Sequence, residues 1–471
     1  MSDALWRWEA LIAAARGRAE GRPDAPISGF SIDSRTLAPG EVFIALTDAR
    51  DGHAFVPAAF AAGASAAIVA DGYSAPSACG PLLRVADPAC ALADIGLAAR
   101  LRTNAHIVAV TGSVGKTGTK EMLRLCLARV GKTHAAEKSF NNHWGVPLSL
   151  ARMPCDSAHA VFEVGMNHAG EITPLARMVR PQVAIITSVE AVHLGQFASI
   201  ADIARAKAEI FRGLVPGGVA ILPRASAHYD LLHAAAAAAR ARVITFGDDL
   251  RADIRPSDVE LGAAGSIVTA AHRQQRIVYR LGVPGAHYVA NSLAVLAALD
   301  ALGVDLASCL PALASLRAPA GRGARTLLNL ADGKLLLIDE SYNANPASMR
   351  AALLAMSVTP RATYPRRVAV LGDMLELGAA AGELHRDLSG TLQAAGVDLL
   401  LACGPMMRQL YDALPAARQG AWAASSRELL PVLLSRVRAG DVVVVKGSLA
   451  MGMAPLVGAM LRHYGPGQPG G

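Results

Sequence analysis

The sequence is poor in cysteine and contains no long hydrophobic run. Its six cysteines are Cys79, Cys90, Cys126, Cys155, Cys309 and Cys403, and no two of them form a C-x-x-C pair. This spacing argues against a disulfide framework and against a metal cluster built on thiolates. No apolar run approaches the roughly 20 residues that a membrane-spanning helix needs. We therefore expect no membrane span.

The amino-terminal stretch MSDALWRWEA lacks the features of a secretory signal. It contains an acidic residue, and no small-residue cleavage site follows an apolar core. Hydrophobic residues nevertheless make up 52% of the 471 residues, which is enough for several buried cores. We therefore expect a cytoplasmic protein, and its length predicts two or three domains.

Aromatic residues are also scarce, at 4% of the chain, and the net charge of +7 is spread without a basic run. The pattern of clustered basic residues and stacking aromatics that is typical of nucleic-acid binding is therefore missing. A modest positive charge also suits small acidic substrates. We expect small anionic ligands and no nucleic-acid partner.

Lysine is the third scarce residue type. Only seven of the 45 basic residues are lysines, namely Lys116, Lys120, Lys132, Lys138, Lys207, Lys334 and Lys446. A compact ammonium and a planar guanidinium are not interchangeable. A lysine kept in an arginine-rich chain is therefore a candidate for chemistry that requires an amine.

The order of the apolar segments predicts an α/β fold in three domains. Residues 27–100 contain short strands, GEVFIAL and SAAIVA, with the helical segment AFVPAAFAAG between them. From about residue 105, the apolar strands HIVAVTG, HAVFEVG and VAIITSV alternate with helical patterns, which is typical of a parallel sheet covered on both faces. A second parallel sheet is indicated by LLLID, RVAVLGD, LLLACG and VVVVKGS, after the hinge-like RAPAGRGAR at 317–325.

The segment AVTGSVGKTGTKEM, residues 109–122, predicts a phosphate-binding turn between a strand and a helix. Such a turn directs backbone N–H groups and a helix N-terminus at an anion, while its lysine contacts terminal phosphates and its hydroxyl contacts Mg²⁺. The pattern is G-x-x-G-K-T, because Val110 stands where a full phosphate loop has its first glycine. The alternative is an ordinary strand–helix turn. The nucleotide-binding candidates are Gly112, Ser113, Gly115, Lys116 and Thr117.

Two further polar residues are predicted near this turn. AVFEVGMNH places Glu163 inside an apolar strand, where a carboxylate is costly unless it is paired or metal-bound. That strand should lie beside the phosphate-loop strand and open onto the same crevice at the carboxyl edge of the sheet. We predict Glu163 to be a Mg²⁺ ligand, the alternative being a buried pair with an arginine. His193, which follows the strand VAIITSV, is a second ligand candidate or a structural histidine.

Lys207 lies on the apolar face of a predicted helix, IADIARAKAEIFRGL. Three apolar residues share its face at helical spacing: Ile203, Ile210 and Phe211. Arg205, Glu209 and Arg212 are predicted on the opposite, solvated face, with Arg205 and Glu209 as an i,i+4 pair. A buried amine has a lowered pKa and is nucleophilic, so Lys207 could react with CO₂ and become a metal-binding carbamate. The alternative is a lysine whose ammonium reaches solvent.

Polar residues also end the strands of the C-terminal sheet. They are Asp339, Tyr342, Asn343, Asp373, Glu376 and Lys446. Asn345 followed by Pro346 is typical of a helix N-cap with proline at the first helical position. We therefore predict a second polar site at this sheet edge, facing the phosphate site across the hinge.

Taken together, these motifs resemble the Mur ligase family of peptidoglycan synthesis over nearly the whole chain. The resemblance is carried by TGSVGKTGTKEM, NNHWGVPLSL, EVGMNHAGEI, HLGQF, AKAEIF, PAGR, DESYNANPASM, GDMLELG and VKGS. Within the family, YNANP and GDMLELG resemble the member that adds a dipeptide, and the D-N-P-R stretch typical of the diaminopimelate-adding member does not occur. The resemblance implies an ATP-dependent ligase that joins D-alanyl-D-alanine to the peptide carboxylate of UDP-N-acetylmuramoyl-tripeptide.

The resemblance also implies cofactors and a catalytic set. ATP would bind at the phosphate loop with two Mg²⁺ ions, held by residues matching Thr117, Glu163, His193 and, as a carbamate, Lys207. Lys116, Lys207, His193 and Glu163 would form the catalytic set. The substrate carboxylate would attack the γ-phosphate to give an acyl phosphate and ADP, and the dipeptide amine would then displace phosphate. Metals and lysines would offset the repulsion between the two anions.

Further roles follow from the resemblance alone. Residues matching nucleotide contacts are Asn291, Arg322, Asp339 and Tyr342. Residues matching substrate contacts are Ser34, Arg35, Asn141, Asn142, Asn345, Glu376 and Lys446. Leu449 and Ala454 stand where many relatives carry arginine and glutamate. The implied domains are a UDP-binding domain at 1–102, a central mononucleotide-binding (ATP-binding) domain at 103–316 and a Rossmann-like domain at 317–471.

Two alternatives remain open at this point. One is a related ligase that adds a single amino acid, and the other is a nucleotide-operated switch or binding protein. A switch needs only the phosphate loop and metal ligands, so Lys207 and the second polar cluster favour a ligase. We expect a monomer.

Overall fold

The computed structural model describes residues 4–76, 79–136, 139–192 and 195–465. Within these residues the chain forms three mainly parallel sheets covered by helices, which confirms the predicted α/β class with three domains. The predicted domain limits near 102 and 317 fall in connections between helices and strands. None of the described helices is both long and apolar enough to cross a lipid bilayer.

The N-terminal sheet has the strand order β1-β5-β4-β3-β2, with β1 antiparallel to β5. Its strands are β1 (Arg18–Glu20), β2 (Gly29–Ser31), β3 (Glu41–Ile44), β4 (Ala66–Ala70) and β5 (Leu82–Val85). Its helices are α1 (Trp8–Ala15), α2 (Val56–Ala61) and α3 (Pro88–Leu101). The Asp87 carboxylate accepts from the N–H groups of Ala89 and Cys90 at the start of α3, so this helix begins with a capped turn and proline at its first position.

The central sheet has the strand order β14-β13-β12-β11-β10-β9-β6-β8-β7. Its strands are β6 (His106–Thr111), β7 (Thr133–Ala135), β8 (His159–Glu163), β9 (Val183–Ile186), β10 (Val219–Pro223), β11 (Arg242–Phe246), β12 (Ile254–Gly262), β13 (Gly265–His272) and β14 (Gln275–Leu281). Its helices are α4 (Lys116–Leu127), α5 (Gly145–Ala151), α6 (Ile172–Val179), α7 (Ile200–Ala208), α8 (Tyr229–Ala238), α9 (Ala286–Ala301) and α10 (Leu306–Cys309).

Strand β6 lies in the interior of this sheet and positions the phosphate turn. It pairs in parallel with β8 on one side and β9 on the other. Its residues from Ile107 to Thr111 are buried, because helices cover both faces of the sheet, and this explains the continuous apolar run. Val110 is in register with Glu163 of β8. The turn after β6, the end of β8 and the end of β9 therefore share one edge of the sheet.

The C-terminal sheet has the strand order β15-β16-β20-β17-β18-β19. Its strands are β15 (Ala324–Leu330), β16 (Gly333–Glu340), β17 (Arg366–Gly372), β18 (Leu399–Cys403), β19 (Gln419–Ala423) and β20 (Asp441–Lys446). Its helices are α11 (Pro346–Ser357), α12 (Ala381–Arg386), α13 (Leu388–Ala394), α14 (Pro405–Asp412), α15 (Ser426–Arg436) and α16 (Ala454–Tyr464). Short 3₁₀ segments elsewhere in the chain cover Gly52–Phe55, Glu209–Gly213, Leu310–Ser315, Gly378–Ala380, Ala416–Arg418 and Leu449–Met451.

Both larger sheets contain antiparallel strands that the sequence pattern did not predict. Strands β12, β13 and β14 form an antiparallel meander, and β15 pairs antiparallel with β16. The registers pair Gly262 with Gly265, His272 with Gln275 and Leu330 with Gly333. Only two residues connect the strands in each case, and so short a connection permits a hairpin but no parallel crossover.

Candidate active site

The turn between β6 and α4 requires glycine at two positions. Gly112 has φ 149° and Gly115 has φ 88°. A Cβ atom on Gly112 would lie 1.9 Å from Thr187 Oγ1, and one on Gly115 would lie 2.5 Å from Asn291 Oδ1. Side chains at either position would therefore displace the turn. The Lys116 ammonium folds back over the turn and donates to the Gly112 carbonyl at 2.6 Å.

Residues after β9 hold the turn from its other side. The Ser113 N–H donates to the Ser188 carbonyl at 2.9 Å, and the Ser113 hydroxyl oxygen accepts from the Glu190 N–H at 2.9 Å. The Thr187 hydroxyl donates to the Val114 carbonyl at 2.5 Å. The predicted ligand His193 follows this segment but lies outside the described residues.

Glu163 is buried at the end of β8, with 2% of its surface exposed. The Thr117 hydroxyl donates to its Oε2 at 2.9 Å, and the Asn141 amide donates to its Oε1 at 2.8 Å. Among the described residues its partners are thus a hydroxyl and an amide rather than an arginine. The predicted neighbourhood of the phosphate turn and Glu163 is present in the structure.

Ser139 connects this group to the hinge, and the sequence offered no signal for it. Its Oγ lies 3.1 Å from Thr117 Oγ1 and accepts from Arg322 Nη2 at 3.1 Å. Because the single hydroxyl proton of Thr117 is donated to Glu163, Ser139 supplies the proton between the two hydroxyls. The Arg322 guanidinium also stacks on the Tyr342 ring, 4.1 Å from its centroid, which is a cation–π distance.

Lys207 is buried on α7, with 2% of its surface exposed. The alternative of an ammonium that reaches solvent is therefore excluded. Burial, and then the positive charge of Lys116, hold the pKa of Lys207 well below its usual range. The pKa of Lys116 is also lowered, first by burial and then by Arg322, although Glu163 acts in the opposite direction. Two amines with depressed pKa values therefore lie near the phosphate turn.

The predicted surface pair of Arg205 and Glu209 is wrong. Glu209 is buried and accepts from the Gly170 N–H at 2.7 Å and from the Thr173 N–H at 3.0 Å. Arg205 instead pairs with Asp202 at 2.5 Å. Helix α7 ends at Ala208 and continues as a 3₁₀ segment, whose three residues per turn rotate Glu209 away from its helical-wheel position. Its carboxylate then accepts hydrogen bonds at the N-terminal end of α6, where a negative charge is favourable.

The C-terminal residues bind mainly their own loops. Asp339 Oδ2 accepts from the Gly321 N–H at 2.8 Å, while its Oδ1 accepts from the Ser341 hydroxyl at 2.6 Å. The Lys446 side chain is 3% exposed. Its ammonium lies 3.3 Å from Glu340 Oε2 and donates to the Asn343 carbonyl at 2.9 Å. Asp339 and Lys446 therefore hold the segment that contains Tyr342 through hydrogen bonds to its neighbours Ser341 and Asn343.

Two of the asparagines predicted to contact substrate also cap helices. Asn345 Oδ1 accepts from the Ser348 N–H at 2.8 Å, which confirms the predicted N-cap of α11. Asn142 Oδ1 accepts from the Gly145 N–H at 2.8 Å at the start of α5. Asn291 is 8% exposed and lies against Gly115, where it borders the start of α4.

The central and C-terminal domains also meet through the main chain. The Gly195 N–H donates to the Glu376 carbonyl at 3.0 Å. Glu376 is exposed and has φ 63°, a left-handed conformation that is uncommon for a residue with a side chain. One residue of the second polar cluster therefore lies against the chain that follows β9.

Ser34 and Arg35 lie away from the phosphate turn, in a cleft of about 960 Å³ between the N-terminal and central domains. Asp33 holds the Arg35 guanidinium through contacts of 2.9 and 2.7 Å. The lining also includes His134, whose pKa is lowered to about 4 by burial. Its Nε2 lies 2.8 Å from the Ser149 carbonyl oxygen. Other lining residues are Ala136, Phe140, Trp144 and Arg152. Because Ala136 and Phe140 precede Asn141 in the chain, one segment borders both the cleft and the phosphate site.

The donor set suits a magnesium ion shared with phosphate oxygens. Within the described part of the chain no group of three or more His, Cys, Asp or Glu side chains is placed to hold a metal ion. Mg²⁺ commonly uses one or two protein oxygens together with phosphate oxygens and water. The Thr117 hydroxyl and the Glu163 carboxylate provide such oxygens, 2.9 Å apart.

Comparison with known proteins agrees with this geometry. The model of the Mur ligase middle domain matches residues 110–299, and that of the Mur ligase, glutamate ligase domain, matches residues 327–449. The UDP-N-acetylmuramoyl-tripeptide–D-alanyl-D-alanine ligase of Escherichia coli is 33% identical over 444 residues, which cover 93% of this chain and 95% of the relative. The enzyme of that name from Bacillus subtilis is 30% identical, with 92% of each chain covered.

A solved structure leads to the same grouping. The crystal structure of MurF from Acinetobacter baumannii superposes with a TM-score of 0.82 and 31% identity, covering 97% of this chain and 99% of the other. A relative of this identity, aligned over nearly the whole chain, together with both domain matches, establishes common descent. The chain therefore belongs to the Mur ligase family.

Proposed function

We propose that this chain is an ATP-dependent ligase that joins D-alanyl-D-alanine to the peptide carboxylate of UDP-N-acetylmuramoyl-tripeptide. The product would be the UDP-linked pentapeptide used in peptidoglycan synthesis. Mur ligases are ATP-dependent ligases, and the relatives aligned over nearly all of this chain bear the name of this activity. The observation that carries the proposal is the chain of contacts from Glu163 through Thr117 and Ser139 to Arg322.

The phosphate turn would bind the triphosphate of ATP. Backbone N–H groups of the turn and the N-terminus of α4 attract anions, and the ammonium of Lys116 lies over the same turn. Asn291, beside Gly115, would border the adenine. Arg322 and Tyr342, stacked on each other, would approach the nucleotide from the C-terminal domain.

Bound Mg²⁺ would offset the negative charge of the phosphates during attack. Thr117 and Glu163 would hold one ion through their oxygens. His193 and Lys207, the latter as a carbamate, are proposed for a second. The depressed pKa of Lys207 supports this assignment, because only an unprotonated amine reacts with CO₂.

In the proposed reaction, the tripeptide carboxylate attacks the γ-phosphorus, and ADP leaves. The dipeptide amine then attacks the acyl carbon, phosphate leaves, and the amine loses a proton as the amide forms. Lys116 and Arg322 would stabilise the charge on the transferred phosphoryl group. The contacts between the two domains would exclude water that otherwise hydrolyses the acyl phosphate.

The remaining assignments concern the UDP-linked tripeptide, the dipeptide, the domain limits, the oligomeric state and the location. Ser34 and Arg35 would contact the uridine nucleotide in the cleft, and Asn141 and Asn142 the tripeptide end near the acyl phosphate. Asn345, Glu376 and Lys446 would lie near the dipeptide, with their loops shaped as described. We also propose that the domains meet near residues 102 and 317. We further propose that the protein is a monomer located in the cytoplasm.

The test is phosphate release from ATP with UDP-N-acetylmuramoyl-tripeptide, with D-alanyl-D-alanine present, absent or replaced by D-alanine. We expect release that requires the peptide nucleotide and the dipeptide, and a product mass raised by one dipeptide less one water. Efficient ligation of D-alanine would move the assignment to a single-residue ligase. Release that is indifferent to both substrates would overturn the ligase and favour a switch.

A further inference from the structure

Lys120 is a buried lysine for which the proposed reaction has no use. It lies one helical turn after Lys116 on α4 and is 0% exposed. Its ammonium donates to the carbonyl of Ala136 and pairs with Glu121 at 2.9 Å. Glu121 also accepts from Arg124 Nε at 2.8 Å. Lys120 thus connects the phosphate-loop helix to the segment that follows β7.

That segment delivers two groups to the phosphate site. Ser139 follows Ala136 by three residues and Asn141 follows it by five. Successive Cα atoms are about 3.8 Å apart, so Ser139 can lie at most about 11 Å from Ala136. Ser139 contacts Thr117, and Asn141 contacts Glu163. Fixing the Ala136 carbonyl therefore restricts where both groups can lie.

We infer that Lys120 is a positioning residue of the phosphate site, which acts by tethering the Ala136 carbonyl to α4. The tether holds the Ser139 hydroxyl against Thr117 and the Asn141 amide against Glu163, so the two candidate metal-binding oxygens keep their orientation. This inference rests on the proposed function only in assigning Mg²⁺–nucleotide to the site.

The retention of lysine at this position fits the inference. The chain uses lysine at only seven of its 45 basic positions, and Lys120 has no exposed surface. A guanidinium is larger and carries five N–H donors that need partners, whereas the ammonium of Lys120 has two described partners, so arginine would leave N–H groups unpaired within the same space. A lysine with only a packing role would instead affect the whole domain equally when replaced.

The experiment compares Lys120→Met with the wild type and with Lys132→Met. Lys132 is a half-exposed lysine of the same domain that pairs with Asp156. Calorimetry would measure ADP binding with Mg²⁺ and with a chelator, so that no ligation is needed. We expect the Mg²⁺ concentration for half-saturation to rise about tenfold or more in Lys120→Met, as for outer-shell partners of metal ligands. Metal-free ADP affinity should stay within about twofold, and Lys132→Met should match the wild type.

An unchanged Mg²⁺ requirement in folded Lys120→Met would overturn the inference, as would an equal loss of metal-free and metal-dependent binding. Should Lys120→Met not fold, Lys120→Gln carries the test, because its shorter side chain withdraws the donor from the Ala136 carbonyl and its Mg²⁺ requirement must rise, as must that of Ser139→Ala. In the double variant the two effects should be less than additive, since they act through one segment, and additivity would count against the tether. A wild type that binds Mg²⁺–ADP but does not ligate would refute the proposed function and leave this inference standing.

Discussion

Replacement of Lys207 by methionine is expected to stabilise the protein while abolishing its activity. Methionine keeps most of the apolar stem and removes the amine. The residue is 2% exposed, and its burial disfavours the charged amine, which lowers its pKa. Moving a polar group from water into an apolar surrounding costs about 1–3 kcal/mol in protein mutational data. The free energy of unfolding should therefore rise by about 1–3 kcal/mol at pH 7.

The pH dependence of this gain follows from the lowered pKa of Lys207. An unfolded lysine has a pKa of about 10.4, and the folded value lies well below it. Between the two values the unfolded chain holds a proton that the folded chain lacks, so the stability of the wild type rises with pH. Lys207→Met lacks this rise. Its advantage over the wild type should therefore be greatest at low pH and shrink as the pH approaches about 10.4.

Urea denaturation followed by circular dichroism would measure both effects, in buffer free of CO₂ so that no carbamate forms. Thermal scans should agree, since 1 kcal/mol shifts the melting temperature of a unit of 150–250 residues by about 2–4 °C. Lys132→Met is the control and should leave both curves unchanged. A less stable Lys207→Met, or an advantage that grows with pH, would refute the reasoning.

Four further predictions concern other residues, three of them tested by denaturation and one by phosphate release. Lys120→Met should lower the free energy of unfolding by about 1–3 kcal/mol, because the Ala136 carbonyl loses its donor and the Glu121 carboxylate keeps only Arg124. The sign is opposite to that expected for Lys207→Met, and a gain in stability would contradict the described contacts. Glu163→Gln should lower kcat/KM for ATP by about 10–100-fold in phosphate release, since an amide cannot accept at both of its atoms; full activity at ordinary Mg²⁺ would remove Glu163 from the site. The pKa of His134 is lowered to about 4 by burial, so the unfolded chain binds a proton at a higher pH than the folded chain does. The free energy of unfolding should therefore fall by at most about 3 kcal/mol as the pH drops from about 6.5 to 4. His134→Gln should flatten this part of the pH profile of stability, and an unchanged slope would show that other groups cause it. Asp441 is 0% exposed and accepts from Arg366 at 2.7 and 2.6 Å. Asp441→Asn should therefore lower the free energy of unfolding by about 3–5 kcal/mol in urea denaturation. Asp412→Asn, at an exposed ion pair, should lower it by less than about 1 kcal/mol, and equal losses would show that burial of the pair does not matter.

The polar residues at strand ends were predictable because parallel strands bring their carboxyl ends to one edge. Glu163 and the phosphate turn could be assigned to one crevice from the sequence, and β6 and β8 are indeed neighbours with Val110 opposite Glu163. Burial of Lys207 was one of two outcomes that the sequence left open, and it was favoured because Ile203, Ile210 and Phe211 share its face at helical spacing.

Contacts made by irregular segments were not predictable in the same way. Ser139 stands in no repeating pattern, and its role arises from where the segment after β7 is anchored. Glu209 was assigned to the wrong face because a helical wheel presumes one period, and the period changes from α-helical to 3₁₀ at that residue. Lys446 could be recognised as a rare lysine at the end of a strand. Its partners Glu340 and Asn343, however, depend on the pairing of β16 with β20, which local sequence does not specify.

The hydrogen bond from the Gly195 N–H to the Glu376 carbonyl joins two domains through backbone atoms alone. Substitution at either position leaves both atoms in place, except for proline at 195, which has no N–H to donate. This junction is therefore insulated from most point mutations, unlike the side-chain contact between Arg322 and Ser139. Mutations can therefore weaken or strengthen the contact between Arg322 and Ser139, while the backbone hydrogen bond between Gly195 and Glu376 remains. Relatives with altered side chains on both loops can thus keep the same domain approach.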